Sequence, residues 1–227
     1  MTTPSVLVFD VNETLLDIES VAPLFGELFG DERMLREWFA QLVMYSMSIT
    51  LAGNYVTFPV LAEGVLPMLG DIYRVNVSES DAQRLKAGLL TMPAHPDAAE
   101  GLAALRDNGF RLVTLSNSPP NPDGPTALQN SGLAGYFEHQ LSVDARSVFK
   151  PSPAVYRYAC ETIGVAPPDC MMVAAHVWDT IGAQHVGFGG ALITRRGNAP
   201  LPIDGLPQPN IVASDVRQLA EQLINLR

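Results

Sequence analysis

The chain has 227 residues, 24 of them acidic and 14 basic, for a net charge of −10, with 47% hydrophobic and 17% charged side chains. That is ample apolar material for a core. Without a Lys/Arg cluster it lacks the basic footprint that phosphate backbones and anionic membranes need, which excludes nucleic acid and membrane partners. Cys160 and Cys170 are the only cysteines; with no His or Cys at ligand spacing they read as thiols of a reducing compartment, not a zinc site. No basic, apolar leader opens the chain, and no uncharged apolar run is long enough to span a bilayer. These features together predict a cytoplasmic protein.

In chain order, Val6-Leu7-Val8-Phe9 is an apolar run of strand length that ends in Asp10 and a polar, turn-prone segment, Val11 to Asp17. The period then becomes helical: Leu24, Phe25, Leu28 and Phe29, next Leu35, Trp38, Phe39 and Leu42, with further helical pieces to about Leu90. No strand is expected between Ile18 and Met92. A helical block inserted after the first strand predicts a cap domain over residues 18–92 and a core made of 1–17 and 93–227. Past Pro93, strand and helix alternate. Ala98 to Asn108 is a helix stopped by Gly109, and Arg111 to Leu115 is a buried strand ending in Ser116-Asn117-Ser118. A Pro-rich loop, a helix over Ala127 to Ser131 and a strand over His139 to Val143 follow. Then come a helix over Ala154 to Ile163, a strand over Cys170 to Ala174, a strand over Gly190 to Thr194 and a weak Ile211-Val212 strand. Successive β-α units predict an α/β fold with a parallel, Rossmann-like sheet covered on both faces.

In such sheets ligands bind at the carboxyl ends of the strands. Four polar clusters fall there or just beyond: Asp10 to Thr14, Ser116-Asn117, Lys150, and His176 to Asp179. A carboxylate such as Asp10 can attack carbon or phosphorus to give a covalent ester or acyl phosphate. Lys150 would neutralise and orient it. Thr14 either hydrogen-bonds Asp10 or ties the turn, and Tyr156 is either a site residue or a core aromatic.

These motifs resemble the haloacid dehalogenase superfamily, and most narrowly its type II (L-2-haloacid) dehalogenases. The matching stretches are Asp10-x-x-x-Thr14-Leu15-x-Asp17, Leu115-Ser116-Asn117, Lys150-Pro151-x-x-x-x-Tyr156 and Trp178-Asp179-x-x-Gly182-Ala183. The resemblance spans essentially the whole chain and implies the superfamily core with an inserted α-helical cap. It also implies a nucleophilic role for Asp10 and a water-positioning or water-activating role for Asp179, set against simple N-capping of a helix beginning near Thr180. A homodimer is implied as well. Phosphatases of this superfamily carry a second Asp two residues after the first, to protonate an alkoxide, and bind magnesium. Here that position is Asn12, and halide leaves without a proton. Displacement at carbon without cofactor or metal is therefore expected.

Two positions depart from the family. Where the type II enzymes place a halide-cradling arginine, this chain has Phe39. Arg36, about 60° around the helix, either substitutes for it in part or is an ordinary surface arginine. The Ser-Ser-Asn-like run becomes Ala174-Ala175-His176, and His176 either serves the water or Asp179, or is structural. With Phe39, Trp178, Asn12, Ser116, Asn117 and Tyr156 around Asp10, the substrate expected is a short (S)-2-haloalkanoic acid. The competing readings are a magnesium-dependent phosphatase of the same superfamily acting on a small phosphoester, and a degenerate, non-catalytic binder of small acids.

Overall fold

The computed structural model describes residues 3–227. Val6–Phe9 forms β1, with every side chain fully buried. The other strands are Arg111–Ser116 (β2), His139–Ser142 (β3), Cys170–Ala174 (β4), Gly189–Ile193 (β5) and Ile211–Ala213 (β6). They make one parallel sheet in the order β3-β2-β1-β4-β5-β6. β1 lies at its centre, Phe9 opposite Thr114 on one side and Val173 on the other. The order reverses direction at β1, so the crevice beyond its carboxyl end is where this class of sheet binds ligands. Asp10 is the first residue past that end, and its N–H still donates to the Val173 carbonyl at 2.9 Å.

Between β1 and β2 the described residues hold helices and no strand. A 3-10 turn over Ile18–Val21 leads into α1 (Ala22–Phe29), α2 (Met34–Leu51), α3 (Phe58–Tyr73) and α4 (Glu79–Leu90). Local signals set their ends: Gly30 closes α1 in the left-handed conformation, and a Ser78/Asp81 capping box opens α4. α2 buries Leu35, Trp38 and Leu42 at helical spacing against Ala62, Val65, Leu66 and Leu69 of α3. Each fully buried leucine there contributes about 2 kcal/mol. The Trp38 indole donates to the Ala62 carbonyl at 3.3 Å and fixes the pair. This helical block touches the core above Lys150. Phe149 N–H donates to Thr50 Oγ1 at 3.0 Å, Tyr55 donates to Asp144 at 2.8 Å, and the Tyr55 and Phe149 rings stand 5.1 Å apart.

The remaining helices are α5 (Ala98–Asp107), α6 (Ala127–Asn130), α7 (Pro153–Ile163), α8 (Val177–His185) and α9 (Val216–Ile224). Three differences from the sequence reading have physical causes. β5 begins and ends one residue earlier than expected, in register with Met171–Ala174. α8 starts at Val177, not Thr180, so Asp179 lies inside its first turn, and its side chain accepts from Lys150 and Tyr156 instead of capping the helix. Finally, α9 was not anticipated: Asp215 caps it, and Val216, Leu219, Ala220 and Leu223 pack its apolar face on α5. Gly101 of α5 makes that approach possible, since a Cβ there would stand 2.7 Å from the Val216 backbone.

Candidate active site

The loop after β1 carries three of the site's groups. Asp10 is 5% exposed. Its Oδ2 accepts from Thr14 Oγ1 at 2.7 Å, and Thr14 Oγ1 accepts in turn from the Ala175 N–H at 2.9 Å. Thr14 therefore ties the Asp10 loop to the end of β4. The same loop is clamped from outside by Arg195, which donates to the Thr14 carbonyl and pairs with Asp97 at 2.7 Å. Both residues of that pair are buried, and neither was evident in the sequence.

Lys150 stands on the other side of Asp10. Its Nζ donates to Asp10 Oδ1 at 2.8 Å, Asp179 Oδ2 at 2.7 Å and the Leu115 carbonyl at 2.9 Å. An ammonium has three donors, so all are committed. Tyr156 donates to Asp179 Oδ1 at 2.6 Å, and Asn117 Oδ1 accepts from the Lys150 N–H at 3.2 Å. Ser116 Oγ is turned toward its own strand end, accepting from the Ser118 N–H. Gly182 lets α8 press against this cluster: a Cβ would lie 2.8 Å from the Tyr156 hydroxyl and 2.5 Å from Pro151.

Burial alone would raise the Asp10 carboxyl, but the Lys150 charge and the approach of His176 outweigh it and hold Asp10 well below the ordinary carboxylate range. Asp10 is thus ionised. Asp179 goes the other way: burial and the Asp10 charge lift it despite Lys150. Lys150 would lose its proton through burial, yet the two carboxylates hold it on. Burial and Asp179 push the Tyr156 phenol up, so it remains a neutral donor.

His176 begins α8, and its partners are neither Asp179 nor a backbone cap. Its Nε2 meets Glu13 Oε2 at 2.7 Å, while Nδ1 faces Asp10 Oδ2 at 3.6 Å and has no hydrogen-bond partner. The ring stacks on Trp178 with centroids 4.9 Å apart and interplanar angle 18°, and Phe39 approaches at 5.5 Å. Burial would lower this imidazole, but the two acids raise it to about 9, so at neutral pH it is a cation. Glu13, which the sequence reading missed, is buried between His176 and Arg36. Its backbone is left-handed, with φ of 67°, which turns its side chain back toward His176. Burial would raise it, but His176 and Arg36 keep it ionised.

Arg36 does not take the place Phe39 leaves. Its guanidinium pairs with Glu13 and Glu19 and donates to the Arg196 carbonyl at 2.9 Å. Offset by three residues from Phe39, it lies to one side of the helix face that meets the site, and two acids hold it there. Beside Asp10 is a chamber of about 10 Å³ lined by Asn12, Phe39, Val43, Phe58, Ser116, Asn117, His176 and Trp178. That is room for one water-sized particle. Asn12, Phe39, Phe58 and Ser116 also line a largely apolar groove of about 910 Å³ between the helical block and the Pro-rich loop.

A divalent cation does not fit these residues. The two carboxylates that could hold it already share the Lys150 ammonium, and a cationic imidazole faces the first. Among the described residues no group of three or more His, Cys, Asp or Glu has metal-binding geometry.

Known proteins show the family. Residues 4–187 match the model of the haloacid dehalogenase-like hydrolases. The chain belongs to that family. This haloacid dehalogenase-like hydrolase is 32% identical to (S)-2-haloacid dehalogenase 4A of Burkholderia cepacia, over 85% of its own length and 84% of the relative's. It is 29% identical to haloacetate dehalogenase H-2 of Moraxella sp. strain B, over 85% and 87% respectively. Among solved structures it resembles the L-2-haloacid dehalogenase of Xanthobacter autotrophicus with chloropropionic acid covalently bound. The TM-score there is 0.86 at 26% identity, covering 99% of this chain and all of that one.

Proposed function

We propose that this chain is a metal-independent hydrolytic dehalogenase of short (S)-2-haloalkanoic acids, yielding the 2-hydroxy acid and halide through an ester on Asp10. The observation that carries the reading is an ionised, Lys150-bound Asp10 facing the chamber, with the amide of Asn12 where an alkoxide-protonating acid would stand. In this mechanism an Asp10 oxygen displaces halide from C2 with inversion, and water then attacks the Asp10 carbonyl carbon. Only the first step touches C2, so inversion survives to product. Lys150 orients Asp10 throughout. Thr14, Asn117 and Tyr156 hold the two carboxylates and the lysine in place, while Asn12, Phe39, Ser116 and Trp178 surround the substrate.

Asp179 is fully buried, and both of its oxygens accept hydrogen bonds. Its part is to fix Lys150. His176 lines the chamber and its Nδ1 stands 3.6 Å from Asp10, so loss of the Asp10 charge on ester formation removes one of the two acids that hold its proton. A neutral His176, oriented by Glu13, is then the base for the hydrolytic water.

The helices of residues 18–92 serve as a cap over the core formed by 1–17 and 93–227, and the groove between them gives the acid its way in. Exposed Met44, Tyr45 and Leu51 on α2, with Val60 and Ile72 on α3, support a homodimer through this cap. Among the described residues no helix is long and apolar enough to cross a membrane. The free thiols of Cys160 and Cys170, 4.0 Å apart, fit the cytoplasm.

Assaying 2-chloropropionate enantiomers and p-nitrophenyl phosphate, each with magnesium and with chelator, tests the assignment. Halide release from the (S) enantiomer, unchanged by chelator, is expected. Magnesium-dependent phosphate release would replace the reading with a phosphatase, and no turnover of either would leave a small-acid binder.

A further inference from the structure

The loop that carries Asp10 owes its shape to bonds from outside it. Within the loop, the Leu15 and Leu16 N–H groups both donate to the Val11 carbonyl, and Glu13 is left-handed. The next three carbonyls, those of Glu13, Thr14 and Leu15, accept from residues far along the chain. His95 takes the outer two: its backbone N–H donates to Leu15 at 2.9 Å and its Nε2 meets the Glu13 carbonyl at 3.0 Å. A carbonyl only accepts, so that ring nitrogen is the donor. Burial and the Arg195 charge keep the ring neutral. Arg195, just past β5, takes the middle carbonyl with Nε at 3.1 Å and Nη2 at 2.9 Å. Its Nη1 and Nη2 also donate to the two oxygens of Asp97, at 2.7 and 2.8 Å. Asp97 accepts the Val216 N–H at 2.8 Å as well, which fastens the pair to the start of α9. His95 and Asp97 lie where the chain returns from the helical block, beside the segment by which it leaves: the Asp17 N–H donates to the Pro93 carbonyl at 2.8 Å.

Resting on the dehalogenase reading, we infer that Arg195 is a positioning residue for the first half-reaction. Clamped by Asp97, it fixes the Thr14 carbonyl, and through Thr14 it sets the aim of the Asp10 carboxylate at C2. Thr14 is the one link required, because its hydroxyl donates to Asp10 Oδ2 at 2.7 Å while its carbonyl sits in the Arg195 fork. Arg195, Asp97 and His95 line neither the chamber nor the groove, so none of them meets the substrate. A buried ion pair stabilises a fold little, since desolvation offsets the attraction. What this pair supplies is geometry. A guanidinium offers several N–H groups in a rigid plane, and here two grip one oxygen while two hold the carboxylate that keeps the plane in place. Displacement at carbon needs the attacking oxygen in line with the breaking bond, and a misplacement of about 1 Å costs about 10²-fold in rate. Lys150 holds the other oxygen of Asp10, so the nucleophile is aimed from two sides. One is a direct ion pair, and the other is a relay that ends in Arg195.

Rapid-mixing measurement of the halide burst, over a range of (S)-2-chloropropionate concentrations, separates aim from binding. Arg195→Lys keeps the charge and removes the fork. Its saturating burst rate should fall by about 10²-fold, while the concentration that half-saturates the burst stays as in the native chain. Asp97→Asn should show the same split with a smaller fall, and it provides a second route should Arg195→Lys fold poorly. The relay itself is tested by a double-mutant cycle. Thr14→Val slows the burst by itself, and adding Arg195→Lys should make it no slower than the slower single variant. A merely structural clamp would lower the urea midpoint and leave the burst rate of folded enzyme at the native value. That result in both Arg195→Lys and Asp97→Asn, or multiplying effects in the Thr14 cycle, would overturn the positioning role while leaving the dehalogenase intact. Absence of any halide burst in the native chain would overturn both.

Discussion

Asp10 stands between two charged clusters of opposite character. On one side Lys150, Asp179 and Tyr156 are fully buried, and every oxygen of Asp179 and every N–H of Lys150 is used. On the other, His176 is held by Glu13 at one nitrogen and faces Asp10 at 3.6 Å with the other, which has no hydrogen-bond partner, and the residue lines the chamber. The closed cluster can hold Asp10 ionised and aimed, but it has nothing left to offer a reacting molecule. The open cluster can exchange a partner or a proton. A buried network with all bonds made is rigid, whereas a buried nitrogen whose hydrogen bond is not made is where chemistry can enter.

The largest expected break comes from Lys150→Met. It leaves two carboxylates buried together without their shared cation, and should cost about 3–5 kcal/mol in urea unfolding, together with loss of halide release. A fall below 1 kcal/mol would mean the closed cluster is not a structural unit.

His176 supplies the next test. Its imidazole is raised from 6.5 to about 9 in the folded chain, so its stabilising contribution is complete below pH 6.5 and is lost as pH climbs through about 9. That amounts to about 3 kcal/mol at most. Urea midpoints should therefore decline across that window in the native chain, and His176→Gln should flatten the decline. An equal slope in both would place the titration elsewhere.

Gly182→Ala pushes a methyl against Pro151 and the Tyr156 hydroxyl, at a cost of about 1–3 kcal/mol. The same change should reduce the halide burst, because Tyr156 fixes Asp179 and hence Lys150. The smallest effect is expected from Arg36→Ala. Glu13 retains His176 and Asn198, so turnover should change only a few-fold and inhibition by added halide should stay as in the native chain. Loss of halide inhibition would instead return Arg36 to the chamber.

The closed cluster was legible in the sequence almost whole. Asp10 follows a strand end, Lys150 lies in the turn before α7, Tyr156 on α7 and Asp179 in the first turn of α8, each in a short motif whose spacing survives as text. The open cluster was legible only in part. His176 drew notice as a departure from an amide, but its partner Glu13 lies 163 residues away and reaches it through a left-handed backbone. Nothing local announces that conformation in a glutamate. Arg36 illustrates the same limit: helical angle put it near Phe39, and only the folded positions of Glu13 and Glu19 decide which way it turns. The helix α9 is a different case, since its apolar spacing is plain in Val216, Leu219, Ala220 and Leu223. A weak three-residue strand and a Pro-rich segment ahead of it obscured the signal.

All of this rests on Asp10 becoming covalently bound. A single turnover with excess enzyme and (S)-2-chloropropionate in heavy-oxygen water, followed by mass analysis of the peptide around Asp10, tests that directly. The mechanism predicts that the label appears in the Asp10 carboxylate and that the first hydroxy acid formed carries none. Label in the hydroxy acid with Asp10 unlabelled would mean that water attacks C2 itself, and the nucleophilic role of Asp10 would fall.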